Sequence, residues 1–347
     1  MRAAPSADVD LESGTTRESA RDRTRETAPE PLFRVRDLKV HFATPGGVVR
    51  AVDGVDLDLY PGETVALVGE SGCGKSTLAR ALVGLSPVTS GSIQFRGEEV
   101  SGASRSRWRP LRRSVQLVFQ DPYASLNPRL TVRAMLGEAL TLHGARDRRR
   151  TDEDVAELLS SVGLDPALAE RFPHEFSGGQ RQRISVARAL AVSPSVVLCD
   201  EVTSALDVSV QAQILELLKS LQQRLGLSYL FVTHDLGLVR YIAHRVAVMY
   251  LGQIVELRES ETLFTAPAHP YTQALIGSSP RVGRGAQAER VLLGGEVPSA
   301  LRPPSGCRFH PRCPQRFERC PREAPPLYEL RDQGESRCFL ADPARVE

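Results

Sequence analysis

Residues 69–76, Gly-Glu-Ser-Gly-Cys-Gly-Lys-Ser, place three backbone-permissive glycines ahead of a lysine and a hydroxyl. This is the pattern G-x-x-x-x-G-K-[ST]. Its glycines let successive N–H groups turn into one cavity, and a following helix adds its positive end. Lys75 would then reach the β- and γ-phosphates of a nucleotide, the Ser76 hydroxyl would ligate Mg²⁺, and Gly69, Ser71, Gly72, Cys73, Gly74 and Thr77 would complete the cradle. Farther on, an apolar run ends in Asp200-Glu201. Asp200 suits a second Mg²⁺ ligand, and Glu201 could polarise an attacking water. A third segment, Phe176-Ser177-Gly178-Gly179-Gln180-Arg181, opens a helical run with serine and glycine amides, a second anion-seeking arrangement.

These residues need a scaffold, and the chain carries one. The apolar stretch 64–68 reads as a buried strand directly before the glycine loop, and residues 76–83 read as the helix after it. Residues 195–199, 228–233 and 245–250 read as further apolar strands, and 210–225 has helical spacing at Ile214, Leu217, Leu218 and Leu221. Strands also fit the alternation around Phe33, Val35, Leu38 and Val40, and around Val55, Leu57 and Leu59. The span from about 119 to 190 is mostly helical in pattern. Strands alternating with helices imply an α/β fold with a mostly parallel sheet.

The chain has 347 residues and a net charge of +2, a balance that argues against a broad nucleic-acid footprint. No apolar run approaches the roughly 18 residues of a membrane span. No signal peptide is visible, so the expected compartment is the cytoplasm. Only three lysines occur, Lys39, Lys75 and Lys219, and one of them sits in the glycine loop. Residues 1–30 are charged and poor in large apolar side chains, and read as a disordered tail. The Arg-rich stretch 146–150 reads as a solvated loop. After about residue 276 Pro, Arg and Cys rise and periodicity fades, which suggests a boundary.

Taken in order, these motifs resemble those of the ATP-binding cassette ATPases, over about residues 33–275. The resemblance implies a RecA-like P-loop NTPase core with an antiparallel β subdomain and a helical subdomain at about 119–186. In that family the signature loop of one subunit closes on the ATP held by another. Ser177, Gly178, Gly179 and Gln180 would therefore contact the γ-phosphate in trans, with a second ATPase subunit completing a dimer around two ATPs. The resemblance also implies that Gln120 contacts Mg²⁺ or the lytic water, that His234 bonds the γ-phosphate, and that Asp207 communicates across the dimer. Phe42 becomes the candidate for stacking on adenine, with a core phenylalanine as the alternative, and His41 a weaker candidate. Val202 stands where the family usually has proline, which removes a backbone restraint.

Two further segments resemble one branch, the ATPases of oligopeptide and dipeptide importers. They are the stretch 119–129, Phe-Gln-Asp-Pro-Tyr-Ala-Ser-Leu-Asn-Pro-Arg, and His269-Pro270-Tyr271-Thr272. The branch implies two separate membrane permease subunits gripped by the helical subdomain, an extracytoplasmic solute-binding protein acting indirectly, and a location at the cytoplasmic face of the membrane. No nucleic-acid partner is implied. Nickel uptake, drug or lipid export, and a ribosome- or DNA-associated cassette are the rival readings. Residues 276–347 become a small irregular extension. Its cysteines Cys307, Cys313, Cys320 and Cys338 have C-x5-C-x6-C-x17-C spacing, open to an iron–sulfur cluster, a zinc site or no metal at all. The resemblance to the branch implies that a 4Fe-4S cluster is one candidate.

Overall fold

The structure is a computed structural model describing residues 30–142, 151–278 and 294–345. The tail at 1–30, apart from Glu30, and the loop at 146–150 lie outside the described residues. Along the chain, β1 (Phe33–Thr44) and β2 (Gly47–Leu59) form a long hairpin. β3 (Thr64–Val68) leads into the glycine loop and α1 (Lys75–Leu82). β4 (Ser90–Phe95) and β5 (Glu98–Glu99) join the hairpin in a four-stranded antiparallel sheet of order β2-β1-β4-β5.

α2 (Arg105–Ser114) and β6 (Val115–Val118) return the chain to the main sheet. A helical segment follows, with α3 (Pro122–Ser125), α4 (Val132–Leu142), α5 (Thr151–Ser161) and α6 (Gly178–Leu190). Val132, Leu136, Val155, Leu159 and Ile184 are fully buried in its core. Then come β7 (Val196–Asp200), α7 (Val208–Leu225), β8 (Ser228–Thr233), α8 (Leu236–Ile242), β9 (Arg245–Tyr250) and β10 (Gln253–Glu259). α9 (Ser260–Thr265) and α10 (Pro270–Ser278) follow, and β11 (Tyr328–Glu329) and β12 (Glu335–Ser336) come last.

The second sheet has eight strands in the order β11-β12-β10-β9-β3-β8-β7-β6. β9, β3, β8, β7 and β6 are parallel, whereas β10, β12 and β11 pair antiparallel. Every residue of β3, β7 and β8 is buried. Their alternate side chains enter different clusters: Val65, Leu67, Val196 and Leu198 pack with α1 and the antiparallel sheet, and Val197, Cys199, Tyr229 and Phe231 pack with the helical segment. That double burial is why these strands are continuous apolar runs without polar alternation.

The cysteine-bearing extension is part of this unit. β12 continues the main sheet beyond β10, with Glu256 opposite Ser336 and Leu257 opposite Glu335. Phe309 is buried against Tyr250, Tyr271 and His269, with ring centroids 5.3, 5.4 and 5.8 Å away. Arg308 reaches the Leu251 carbonyl and the Asp53 carboxylate, so the extension also grips the antiparallel sheet. Arg258, nearly buried on β10, pairs with Asp332 of the extension at 3.0 Å.

Candidate nucleotide site

Four adjacent parallel strands deliver the site. β3 ends at Val68 and releases the glycine loop, β8 ends at Thr233 and releases His234, β7 ends at Asp200-Glu201, and β6 ends at Val118 just before Gln120. Pairing aligns these ends: Val68 lies opposite Thr233, Cys199 opposite Phe231, and Val118 opposite Cys199. Ligands of open parallel sheets bind at such carboxyl ends.

The loop itself depends on two close approaches. A Cβ at Gly69 would lie 2.1 Å from the Met249 carbonyl oxygen, and one at Gly74 would lie 2.0 Å from that of Ala51. Their φ angles of 152° and 109° are also in the region that favours glycine. Gly74 opens α1, on whose first turn lie Lys75, Ser76 and Thr77. Buried Lys75 donates from Nζ to the carbonyls of Gly69 at 2.8 Å and Glu70 at 3.0 Å, and its Nζ lies 3.8 Å from Cys73 Sγ. Burial pushes the Cys73 thiol up from its ordinary pKa. Ser71 and Gly72 are exposed at the loop tip.

The chemistry-bearing side chains converge. Ser76 Oγ donates to Asp200 Oδ1 at 2.8 Å, joining two of the three expected Mg²⁺ ligands. Burial raises the Asp200 carboxyl, and the Ser76 hydroxyl counters this in part. Gln120 Nε2 donates to Glu201 Oε2 at 2.8 Å, and His234 Nδ1 lies 3.5 Å from Glu201 Oε1. His234 is open to solvent, whereas Glu201 is mostly covered. Glu201 has φ 51°, a left-handed conformation costly for a non-glycine residue, and its N–H is held by the Val232 carbonyl at 3.0 Å. The next residue, Val202, is buried.

The signature segment sits apart on the helical segment. Ser177 caps α6: the Gln180 N–H donates to Ser177 Oγ at 3.3 Å, and the Ser177 N–H donates to Gln180 Oε1 at 3.0 Å. Gly178 and Gly179 stand on the first turn beside the start of α7. A Cβ on Gly179 would come within 2.5 Å of Val210 Cγ1, so this glycine is required by packing. Asp207 caps α7 with an exposed side chain that makes no capping bond. Among the described residues no hydrogen bond joins Ser177–Gln180 or Asp207 to the glycine loop of the same chain. Phe42 is half-buried against the core edge, and His41 Nε2 contacts Asp53 Oδ1 at 2.9 Å.

Three contacts had no reading in the motifs. Arg181 stacks its guanidinium 3.7 Å from the ring centroid of Tyr123. Tyr271, from His269-Pro270-Tyr271, accepts the Glu70 N–H at 2.9 Å. Arg312 of the extension forks onto the Glu70 carboxylate. Tyr271 lay in a segment whose spelling stood out, but nothing local tied it to the glycine loop.

The metal expectation for the late cysteines needs correction. Cys307, Cys313, Cys320 and Cys338 do line one cavity, closed by Phe309, Phe317 and Phe339. Its volume is about 10 Å³, at the lower limit for a single water. Among the described residues no group of three or more His, Cys, Asp or Glu side chains is disposed to hold a metal ion. Burial pushes the Cys307 thiol up to about 11 and Cys338 to about 12, with the neighbouring thiols adding to the rise. Thiols packed among aromatic rings behave as small apolar groups. This arrangement fits neither the iron–sulfur cluster nor the zinc site.

Comparison with known proteins agrees with this geometry. Residues 52–204 match the family model described as "ABC transporter", and residues 255–320 match "Oligopeptide/dipeptide transporter, C-terminal region". A relative from Brucella abortus is 52% identical over 309 residues, covering 88% of this chain and 92% of its own. The oligopeptide transport ATP-binding protein OppF of Escherichia coli is 46% identical over 324 residues, covering 90% and 97%. A dimeric ATP-binding cassette solved in a post-hydrolysis state with ADP and Pi matches with a TM-score of 0.61 at 28% identity, covering 66% of this chain and 99% of that one. With the α/β cassette fold, these matches place the chain in the family of ABC transporter ATP-binding subunits of oligopeptide and dipeptide transport.

Proposed function

We propose that the chain binds and hydrolyses ATP to power peptide import through separate permease subunits. The observation that carries this reading is the convergence of Ser76 with Asp200, and of Gln120 and His234 with Glu201, at the ends of four neighbouring strands. Lys75 and the amides of residues 69–76 bind the phosphates. Ser76, Asp200 and Gln120 have the oxygen chemistry to hold Mg²⁺, which would neutralise charge on the phosphate oxygens. Glu201 orients the attacking water, and Gln120 and His234 hold that carboxylate from two sides. The half-buried Phe42 stacks on adenine.

A partner cassette supplies the signature loop. Ser177, Gly178, Gly179 and Gln180 face the ATP of the second subunit, and Asp207 lies at that seam. The solved relative that is a dimer with ADP and Pi supports a paired arrangement. Residues 31–275 act as the nucleotide-binding domain, with 119–186 as the part that grips the permease, and 276–347 as the extension. The spanning segments belong to the permeases, and this subunit works at the cytoplasmic face of the membrane; among the described residues no helix is long and apolar enough to cross it. The names of the relatives favour peptides as cargo, delivered by an extracytoplasmic binding protein.

Reconstitution in vesicles with its permeases and partner ATPase tests this. ATP-dependent accumulation of a short peptide, lost with Glu201→Gln, is the expected result. Uptake of nickel ions and not of peptides would overturn the cargo assignment.

A further inference from the structure

Arg312 joins the extension to the phosphate loop across 242 residues of sequence. Its guanidinium donates to Glu70 Oε2 at 2.7 Å and Oε1 at 2.9 Å, and to Tyr250 Oη at 3.4 Å. The Arg312 side chain is 5% exposed and that of Glu70 is 26% exposed. Glu70 is the second residue of the loop, and its backbone is held at both ends. Its N–H donates to Tyr271 Oη, and its carbonyl accepts from Lys75 Nζ. One residue thus connects the lysine that meets phosphate with an arginine of the C-terminal extension.

A carboxylate inside an anion-binding loop works against the loop's task. Unpaired, Glu70 would repel the triphosphate, and its cover from solvent would make that repulsion stronger than in water. It would also compete for Lys75. A bidentate guanidinium removes both problems, because it neutralises the charge and fixes the side chain in one orientation. We propose that Arg312 is a positioning residue for nucleotide binding, which pairs and pins Glu70 so that the phosphate loop accepts ATP. The proposal rests on residues 69–76 being the phosphate loop.

The test is equilibrium binding of ATP with Mg²⁺ to the full chain, with thermal melting to monitor the fold and steady-state kinetics in the reconstituted transporter. Arg312→Gln keeps most of the stem and removes the charge. It is expected to weaken ATP binding roughly tenfold or more, the scale of losing a charge-assisted pair. KM for ATP should rise while kcat at saturating ATP changes by less than about twofold, because Arg312 does not touch the reacting atoms. Arg312→Lys should fall between wild type and Arg312→Gln. The double variant R312Q/E70Q should regain most of the affinity, since the repelling charge is gone. Wild-type affinity in Arg312→Gln would overturn the proposal. So would a double variant as weak as Arg312→Gln, which would mark the pair as an anchor for the extension only. If Arg312→Gln does not fold, Arg312→Lys and Glu70→Gln decide: equal affinity in wild type and Arg312→Lys would overturn the proposal. Unaltered ATP binding by Lys75→Ala would instead refute the phosphate-loop assignment itself.

Discussion

Gln120 and Glu201, 81 residues apart in sequence, are joined by a hydrogen bond of 2.8 Å across the ends of two neighbouring parallel strands. The bond ties the start of the helical segment to the carboxylate proposed to orient the attacking water. Movement of that segment therefore changes the hydrogen bonding of Glu201 directly.

Glu201→Gln keeps the shape of the side chain and removes the carboxylate proposed to act on the attacking water. ATP binding should stay near wild type while hydrolysis falls on the order of 10²-fold or more, the usual contribution of a positioned base. Rates of phosphate release, compared with the amount of nucleotide retained, check this. Wild-type turnover would exclude Glu201 from the chemistry.

Lys75→Ala removes a buried cation whose hydrogen bonds now go to the Gly69 and Glu70 carbonyls. Charge-assisted bonds to phosphate contribute about 1.5–3 kcal/mol, so affinity for ATP should drop by about 10–100-fold. Titration with a fluorescent ATP analogue would measure it.

Gly179→Ala puts a methyl group against Val210. Overpacking of this kind costs about 1–3 kcal/mol, and a lowered melting temperature should report it. V210A in the same chain should recover most of the loss. If G179A melts like wild type, the close approach of α6 and α7 is not a constraint.

His269 is buried, and burial lowers its pKa to about 3. The unfolded chain takes up this proton near the ordinary histidine value of about 6.5 and the folded chain does not. Between these values the unfolded state binds more protons, so this residue's contribution to stability falls as pH falls from about 6.5 towards 3. The slope from one such group is at most about 1.4 kcal/mol per pH unit. H269N can still accept the Tyr271 N–H that His269 Nδ1 accepts at 3.0 Å. Denaturant unfolding at pH 7 and pH 5 should show a smaller pH dependence for H269N than for wild type. Equal slopes would count against a neutral buried imidazole.

The parallel strands were legible because their burial on both faces forces unbroken apolar runs. Residues 64–68, 228–233 and 245–250 form strands with the bounds the pattern predicts. The glycine loop was legible because Lys75, Ser76 and its glycines are neighbours in sequence. β10 was not. It buries Glu256 and Arg258, which no local pattern favours. Glu256 is accommodated by the N–H groups of Ala268 and His269, each at 2.8 Å, and Arg258 by Asp332. Those partners become visible only when distant segments meet. The same holds for Glu70, which stands at a position the motif leaves unspecified. The cysteine spacing pointed the other way, since four thiols can surround a cavity and still be lined up as packing.

The pairing of β12 with β10 also bears on where this chain could be shortened. β10 is buried along residues 254–258. Cut after Ser278, the protein would keep every residue proposed to contact the nucleotide, yet one flank of β10 would present unpaired N–H and C=O groups beside apolar side chains. Such a flank is a template for pairing with another copy. A minimal cassette made this way should be an aggregating one, and the extension is then a guard on the sheet as much as an accessory to transport.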